Sequence, residues 1–171
     1  KKVERRVVEV PLLKRRVAFD EVSANFCGSY DDLETLPCWR FPEIAFVGRS
    51  NVGKSSMLNA LVKKSVAVSG KRPGRTRRIN MFRLDEKEET SCVLTDLPGY
   101  GYAGLGKEEQ EQIARFVRRY LDDRPQLKLV VLIVDSRRDP DQTDLDVLYE
   151  LKARGRPVLL VATKIDKFDT S

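Results

Sequence analysis

Histidine is absent from all 171 residues. That absence removes Ser-His-Asp and Cys-His nucleophilic sites, His-ligated zinc and histidine general bases. Cysteine is scarce: Cys27, Cys38 and Cys92 are the three, and no Cys-x-x-Cys pair occurs. An odd number without paired spacing argues against a disulfide framework or a thiolate metal site, and reads as three reduced thiols in a reducing compartment. Long apolar runs are also missing. The longest, residues 129–134, falls far short of the roughly 20 residues a membrane helix needs. No apolar segment with a cleavage signal opens the chain, so secretion is not expected.

What remains is a chain with 41% apolar and 34% charged residues. Its length suits one domain, which can bury roughly 70% of its unfolded surface. The net charge of +6 is unevenly placed. Residues 1–20 carry Lys1, Lys2, Arg5, Arg6, Lys14, Arg15 and Arg16 against Glu4, Glu9 and Asp20. Residues 63–78 hold Lys63, Lys64, Lys71, Arg72, Arg75, Arg77 and Arg78 with no acid, which leaves the rest of the chain acidic. Two basic segments on an acidic body point to an anionic partner, nucleic acid being the commonest. Solvated charge combined with phosphate binding is the plainer alternative.

Residues 1–40 show no clean period. A short strand is expected around Val7, Val8, Val10, Leu12 and Leu13, and a loop from Asp31 to Pro37. From Phe41 the pattern becomes regular. Residues 44–47 read as a strand entering a tight loop, because Gly48 and Gly53 follow. Met57, Leu58, Leu61 and Val62 recur at helical spacing. Residues 79–84 and 92–95 read as paired strands across a charged turn. Ile113, Phe116, Val117, Tyr120 and Leu121 mark an amphipathic helix. Residues 128–134 form a strand of the buried parallel type. Leu145, Leu148, Tyr149 and Leu151 mark a further helix stopped by Gly155, and residues 158–162 form the next buried strand. The alternation predicts a mainly parallel sheet with helices on both faces. The expected division is a basic extension or leader over 1–40 and a regular α/β domain, incomplete at its C-terminal end, over 41–171. The chain begins without methionine and supplies no further strand and helix after residue 162, so it is expected to be a piece of a longer protein.

The chemistry sits at the ends of these strands. Gly48-Arg49-Ser50-Asn51-Val52-Gly53-Lys54-Ser55 fits Gly-x-x-x-x-Gly-Lys-[Ser/Thr], between a strand and a helix. Glycines let the backbone wrap so that successive N–H groups face phosphate oxygens at the helix N-terminus. Lys54 adds a point charge on the outer phosphates, and the Ser55 hydroxyl can ligate Mg²⁺. Thr163-Lys164-Ile165-Asp166 follows the last strand, at the carboxyl edge where α/β sheets bind ligands. A carboxylate at Asp166 can accept both the ring N–H and the exocyclic amine of guanine, a donor pair that adenine lacks. The stem of Lys164 can cover the base. Asp96-Leu97-Pro98-Gly99 is weak alone. Between the other motifs it acquires a role: Asp96 holds Mg²⁺ through water, and the Gly99 N–H meets the γ-phosphate. Thr76, in Pro73-Gly74-Arg75-Thr76, is placed to close on Mg²⁺ only when the γ-phosphate is present, which makes a switch.

These residues resemble the EngB family of GTPases. The resemblance covers about residues 42–168 and rests on Pro42-Glu43-Ile44-Ala45-Phe46-Val47, the phosphate loop, Pro73-Gly74-Arg75-Thr76, Asp96-Leu97-Pro98-Gly99-Tyr100-Gly101-Tyr102-Ala103 and Thr163-Lys164-Ile165-Asp166-Lys167. It implies a three-layer P-loop NTPase sandwich, GTP and GDP as ligands, and a part in assembling the large ribosomal subunit, with a link to cell division and septation. It also implies nucleotide contacts at residues 48–55, at Gly74, Arg75, Thr76, Arg77 and Arg78, at residues 96–99 and at residues 163–166, with Mg²⁺ on Ser55 and Thr76. The family's last guanine-contacting loop, closing strand and helix are not matched. The length of residues 1–40 points towards an organellar version in a eukaryote, in a plastid or mitochondrial matrix; otherwise the bacterial cytoplasm is expected.

Phosphoryl transfer needs positioning and charge neutralisation more than a covalent nucleophile. Lys54, Asn51, Thr76 and Gly99 are the candidates for a direct part in it. Tyr100 stands where Ras-like enzymes place a glutamine, and a phenol cannot hold the attacking water in that two-handed way. Slow unaided hydrolysis is therefore expected, on the order of 10⁻⁴ to 10⁻³ s⁻¹. Asn51 suggests K⁺ as a second ion against the phosphates; a loop-shaping side chain is the alternative. The basic segment 71–78 is read as a contact for ribosomal RNA in the GTP state of a monomer with no membrane partner. The rival readings are an adenine-specific P-loop kinase or ATPase and a non-hydrolysing RNA-binding scaffold.

Overall fold

The computed structural model describes residues 22–62, 78–86, 89–101 and 104–167. It contains β1 (Val22–Tyr30), β2 (Glu43–Gly48), α1 (Lys54–Val62), β3 (Ile79–Glu86), β4 (Glu89–Asp96), α2 (Lys107–Asp123), β5 (Leu127–Asp135), α3 (Gln142–Ala153) and β6 (Val158–Thr163). The strands form one sheet in the order β1-β3-β4-β2-β5-β6. β3 runs antiparallel to both β1 and β4, while β4, β2, β5 and β6 are mutually parallel.

The continuous apolar runs mark strands covered on both sides. Along β5, Val130 and Leu132 join one buried cluster with Ala45 and Val47 of β2, Tyr120 and Leu121 of α2 and Leu151 of α3. Val131 and Ile133 turn the other way, to Phe46 and to Leu58 of α1. The period of two thus sends neighbouring side chains into separate cores. Helices lie on both faces, as the alternation predicts.

Two features fix α2. Its amphipathic face buries Tyr120, whose hydroxyl donates to Glu43 at 2.7 Å. Glu43 is fully buried and also accepts from Arg124, so the start of β2 is tied to the end of α2. Arg156 donates to the carbonyls of Leu121, Asp122 and Arg124, groups that a helix C-terminus leaves without intrahelical partners.

The structure corrects two expectations. The sheet's first strand, β1, comes from within residues 1–40, so the boundary expected at 40/41 does not coincide with the edge of the sheet. The strand expected near residues 7–13 lies outside the described residues. β6 forms as expected, but it is not buried: Leu159 and Leu160 are 50% and 55% exposed. β6 has β5 on one side and no described strand on the other. No helix among the described residues is long and apolar enough to cross a membrane.

Candidate functional site

Parallel strands bring their carboxyl ends to one edge, and the three motifs meet there. Gly48 ends β2 against β5: a Cβ at this position would stand 2.8 Å from the Ile133 carbonyl oxygen and 2.9 Å from Val52 Cγ1. Only glycine fits so close an approach. The chain then turns through Asn51, whose φ of 63° lies in the left-handed region that asparagine enters more readily than most residues. That conformation gives the loop-shaping role of Asn51 a physical basis. Lys54 opens α1, with Ser55 in its first turn, and the amide of Met57 donates to the Gly53 carbonyl at 2.9 Å. The loop therefore runs into a helix N-terminus, where backbone donors and the helix dipole favour an anion.

Beside it, Phe46 of β2 pairs in register with Asp96 at the end of β4. The Lys54 ammonium and the Asp96 carboxylate form an ion pair, both almost fully buried. Buried charges persist only when partnered, and this pair sets charge of both signs at one point between β2 and β4. Leu97 is completely buried and its amide donates to the Phe46 carbonyl at 3.2 Å. Gly99 packs on the phosphate loop so closely that a Cβ would meet the Gly48 oxygen at 3.1 Å and the Ser50 nitrogen at 3.2 Å. Tyr100 completes the junction. Its amide donates to the Gly48 carbonyl at 3.3 Å and its carbonyl accepts from Ser50 at 2.9 Å. An isolated parallel bridge between Arg49 and Tyr100 carries the β2–β4 relation past the strand ends.

On the other flank, the Thr163 hydroxyl donates towards the Val52 carbonyl at 2.7 Å. Lys164, with φ 60°, sends its ammonium to the Asn51 carbonyl at 2.9 Å and to Asp135 at 2.7 Å. The stem of Lys164 thus spans from β6 to the phosphate loop. Hydrogen bonds from Arg137 and Lys164 outweigh desolvation and hold the Asp135 carboxyl well below the usual carboxylate range. Ile165 and Asp166 lie exposed in a short 3₁₀ turn after β6.

The structure therefore brings together residues 48–54, 96–99 and 163–164. Arg78 enters at the same end of the sheet, two residues before Asn80, which lies opposite Asp96. Its guanidinium turns to Asp31 at 2.9 Å. Gly74, Arg75, Thr76 and Arg77 lie outside the described residues.

The donor set suits a hard cation. Ser55 and Asp96 offer oxygen ligands, the type that Mg²⁺ prefers. Among the described residues no cluster of three or more His, Cys, Asp or Glu could hold a metal unaided. Mg²⁺ commonly takes one or two protein ligands and completes its shell with phosphate oxygens and waters.

A family model described as "50S ribosome-binding GTPase" matches residues 43–164. The chain is 47% identical over 151 residues to the probable GTP-binding protein EngB of Solibacter usitatus, covering 88% of this chain and 77% of that protein. The chain belongs to the EngB family of GTP-binding proteins. It is also 44% identical over 144 residues to the probable EngB of Halothermothrix orenii, covering 84% of this chain and 70% of that one. A crystal structure of a probable GTP-binding protein EngB superposes with a TM-score of 0.57 at 33% identity, covering 74% of this chain and 73% of that chain. The chain binds GTP and GDP and hydrolyses GTP. GTPases of this family generally use Mg²⁺.

Sequence reading missed Asp135, Arg138, Asp141 and Asp144. Asp141-x-x-Asp144 carried a readable signal, since this spacing before an apolar-periodic stretch marks a capping box. The structure forms that box at the start of α3.

Proposed function

We propose that this EngB-family GTPase assists assembly of the large ribosomal subunit, using residues 48–55, 96–99 and 163–166 as its nucleotide site. The observation that carries the site is the meeting of three loops on the phosphate loop: Asp96 on Lys54, Tyr100 on Gly48 and Ser50, Lys164 on Asn51. In this reading the backbone N–H groups of the loop and Lys54 hold the phosphates. Ser55, with Asp96 acting through water, holds Mg²⁺, which when bound supplies neutralising charge for the outer phosphate oxygens. Gly99 meets the γ-phosphate. Lys164 covers the guanine, and Asp166 accepts its ring N–H and amine. Gly74, Arg75, Thr76, Arg77 and Arg78 complete the switch side, with Thr76 on Mg²⁺ in the GTP state, and a K⁺ ion beside Asn51 adds charge.

Unaided hydrolysis is slow in this scheme. The Tyr100 hydroxyl is committed to Asp144 at 2.8 Å, and burial together with that carboxylate pushes the phenol well above its usual range. It stays protonated near neutral pH and cannot act as a base. An external group from the ribosomal particle supplies what the site lacks. The basic run 63–78 supports a nucleic-acid contact, and the matched family's description names the 50S subunit. Link to septation and residence in the bacterial cytoplasm, or in a plastid or mitochondrial matrix, follow the same reading.

The test is co-sedimentation with large-subunit particles and with ribosomal RNA, in GDP and in a non-hydrolysable GTP analogue, across a salt series. Binding should be stronger with the GTP analogue, should weaken steeply with salt, and should fall when Arg75, Arg77 and Arg78 are neutralised. Binding that ignores nucleotide and those arginines overturns the proposal. Equal hydrolysis in K⁺ and Na⁺ removes the K⁺ role alone.

A further inference from the structure

The start of α3 lies outside every motif that binds nucleotide, yet it grips the site from behind. Asp144 is only 3% exposed. As the third residue of the helix it serves a capping box, accepting the Asp141 amide at 3.2 Å. A cap needs no more than that. This carboxylate also accepts the Tyr100 hydroxyl at 2.8 Å, from a loop 44 residues away, and Arg138 at 2.6 Å. Its partner in the box, Asp141, forms an ion pair with Arg49 of the phosphate loop and a longer one with Arg138 at 3.4 Å. The guanidinium of Arg49 passes over Gly101 on the way, at 3.0 Å from where a Cβ would stand. One helical turn thus holds the phosphate loop through Arg49 and the 96–101 loop through Tyr100.

We propose that Asp144 is a positioning residue for GTP hydrolysis, acting through Tyr100 to fix the 96–101 loop against the phosphate loop on the γ-phosphate side. The proposal rests on the assignment of Gly99 to that side. Tyr100 is the hinge of the argument, because its backbone bonds both to Gly48 and to Ser50 while its hydroxyl reaches Asp144. Without the hydroxyl bond, the ring keeps only its packing against the core, and the adjoining Pro98-Gly99 backbone gains freedom. Lys164 and Thr163 contact the phosphate loop at Asn51 and Val52, away from this junction. A loosened Tyr100 should therefore be felt by a nucleotide with a γ-phosphate and hardly by one without.

Tyr100→Phe removes the hydroxyl alone, and Asp144→Asn removes the charge while keeping an acceptor. For each variant of the chain, GDP affinity, affinity for a non-hydrolysable GTP analogue, kcat for GTP and thermal midpoint are measured. Losing one hydrogen bond to a charged group should lower kcat and analogue affinity about ten- to hundredfold, with GDP affinity within about twofold. The double variant should be no worse than the poorer single one, since both remove the same contact. Parallel loss of GDP and GTP-analogue affinity, tracking the thermal midpoint, makes Asp144 a helix cap only and overturns the proposal. Unchanged kcat and analogue affinity, or additive losses in the double variant, overturn it as well. Lys54→Ala is the control: if it keeps full nucleotide affinity, the phosphate-loop assignment has failed instead.

Discussion

The two flanks of the phosphate loop are built differently. On the γ-phosphate flank, Asp96, Leu97 and Asp144 are buried, and the contacts come from the central strands β2 and β4 and from α3. On the base flank, the contacts come from β6, which has a described neighbour on one side only and leaves Leu159 and Leu160 half exposed. There Thr163 and Lys164 make single hydrogen bonds to loop carbonyls, and Asp166 is exposed. Charges buried in pairs are costly to break singly, whereas exposed ones are screened. Among the described residues, the contacts proposed for the phosphates are therefore buried, and those proposed for the base are more exposed.

The sharpest way to break this contrast is at Lys54. Lys54→Ala leaves Asp96 buried without its partner and removes the phosphate charge. Titration with a fluorescent GDP analogue should show affinity falling about 100-fold or more, and chemical denaturation a loss of about 3 kcal/mol or more. Phe46→Ala in β2 empties a site in the second core; denaturation should show a loss of about 3–5 kcal/mol, with the base flank's contacts unchanged. Lys164→Ala removes two hydrogen bonds on the base flank. The same titration should show about a tenfold loss for GDP and GTP alike, with a smaller loss of stability than Lys54→Ala causes.

A smaller effect appears with acid. Asp135 has a lowered pKa, chiefly through Arg137 and then Lys164. A depressed carboxylate contributes stability that is present above its ordinary pKa and lost as pH falls through the lowered one. Asp135→Asn should therefore lose less stability than the parent chain as pH falls from about 4 downward, followed by thermal melts at each pH. The smallest effect belongs to Arg118→Ala. Its bidentate contact to Glu150 is about half exposed, and its removal should cost under about 1 kcal/mol in denaturation.

Much of this was legible because the signals are local. Gly48, Gly53, Lys54 and Ser55 announce a loop at a helix start, and the apolar residues of β5 announce a strand buried on both sides. β1 was not legible. A bulge between Phe26 and Gly28 shifts its register, so Ala24 faces one core while Cys27 and Tyr30 pack on the other. No constant period of two survives that slip. The apolar residues of β6 gave the strand correctly but not its exposure, because local hydrophobicity does not say what lies alongside. The grip of Asp144 on Tyr100 was hidden for a related reason: capping spacing names the helix start, and only the folded sheet brings that start to a loop 44 residues away.

The most direct test of a guanine-specific site is displacement of a fluorescent GDP analogue by GDP, GTP and ATP with Mg²⁺, on the chain and on Asp166→Asn. GDP and GTP should compete and ATP should not, and the variant should lose the guanine preference. ATP competing as well as GTP, or a variant that keeps full preference for guanine, would contradict the assignment of Asp166 and the base flank built on it.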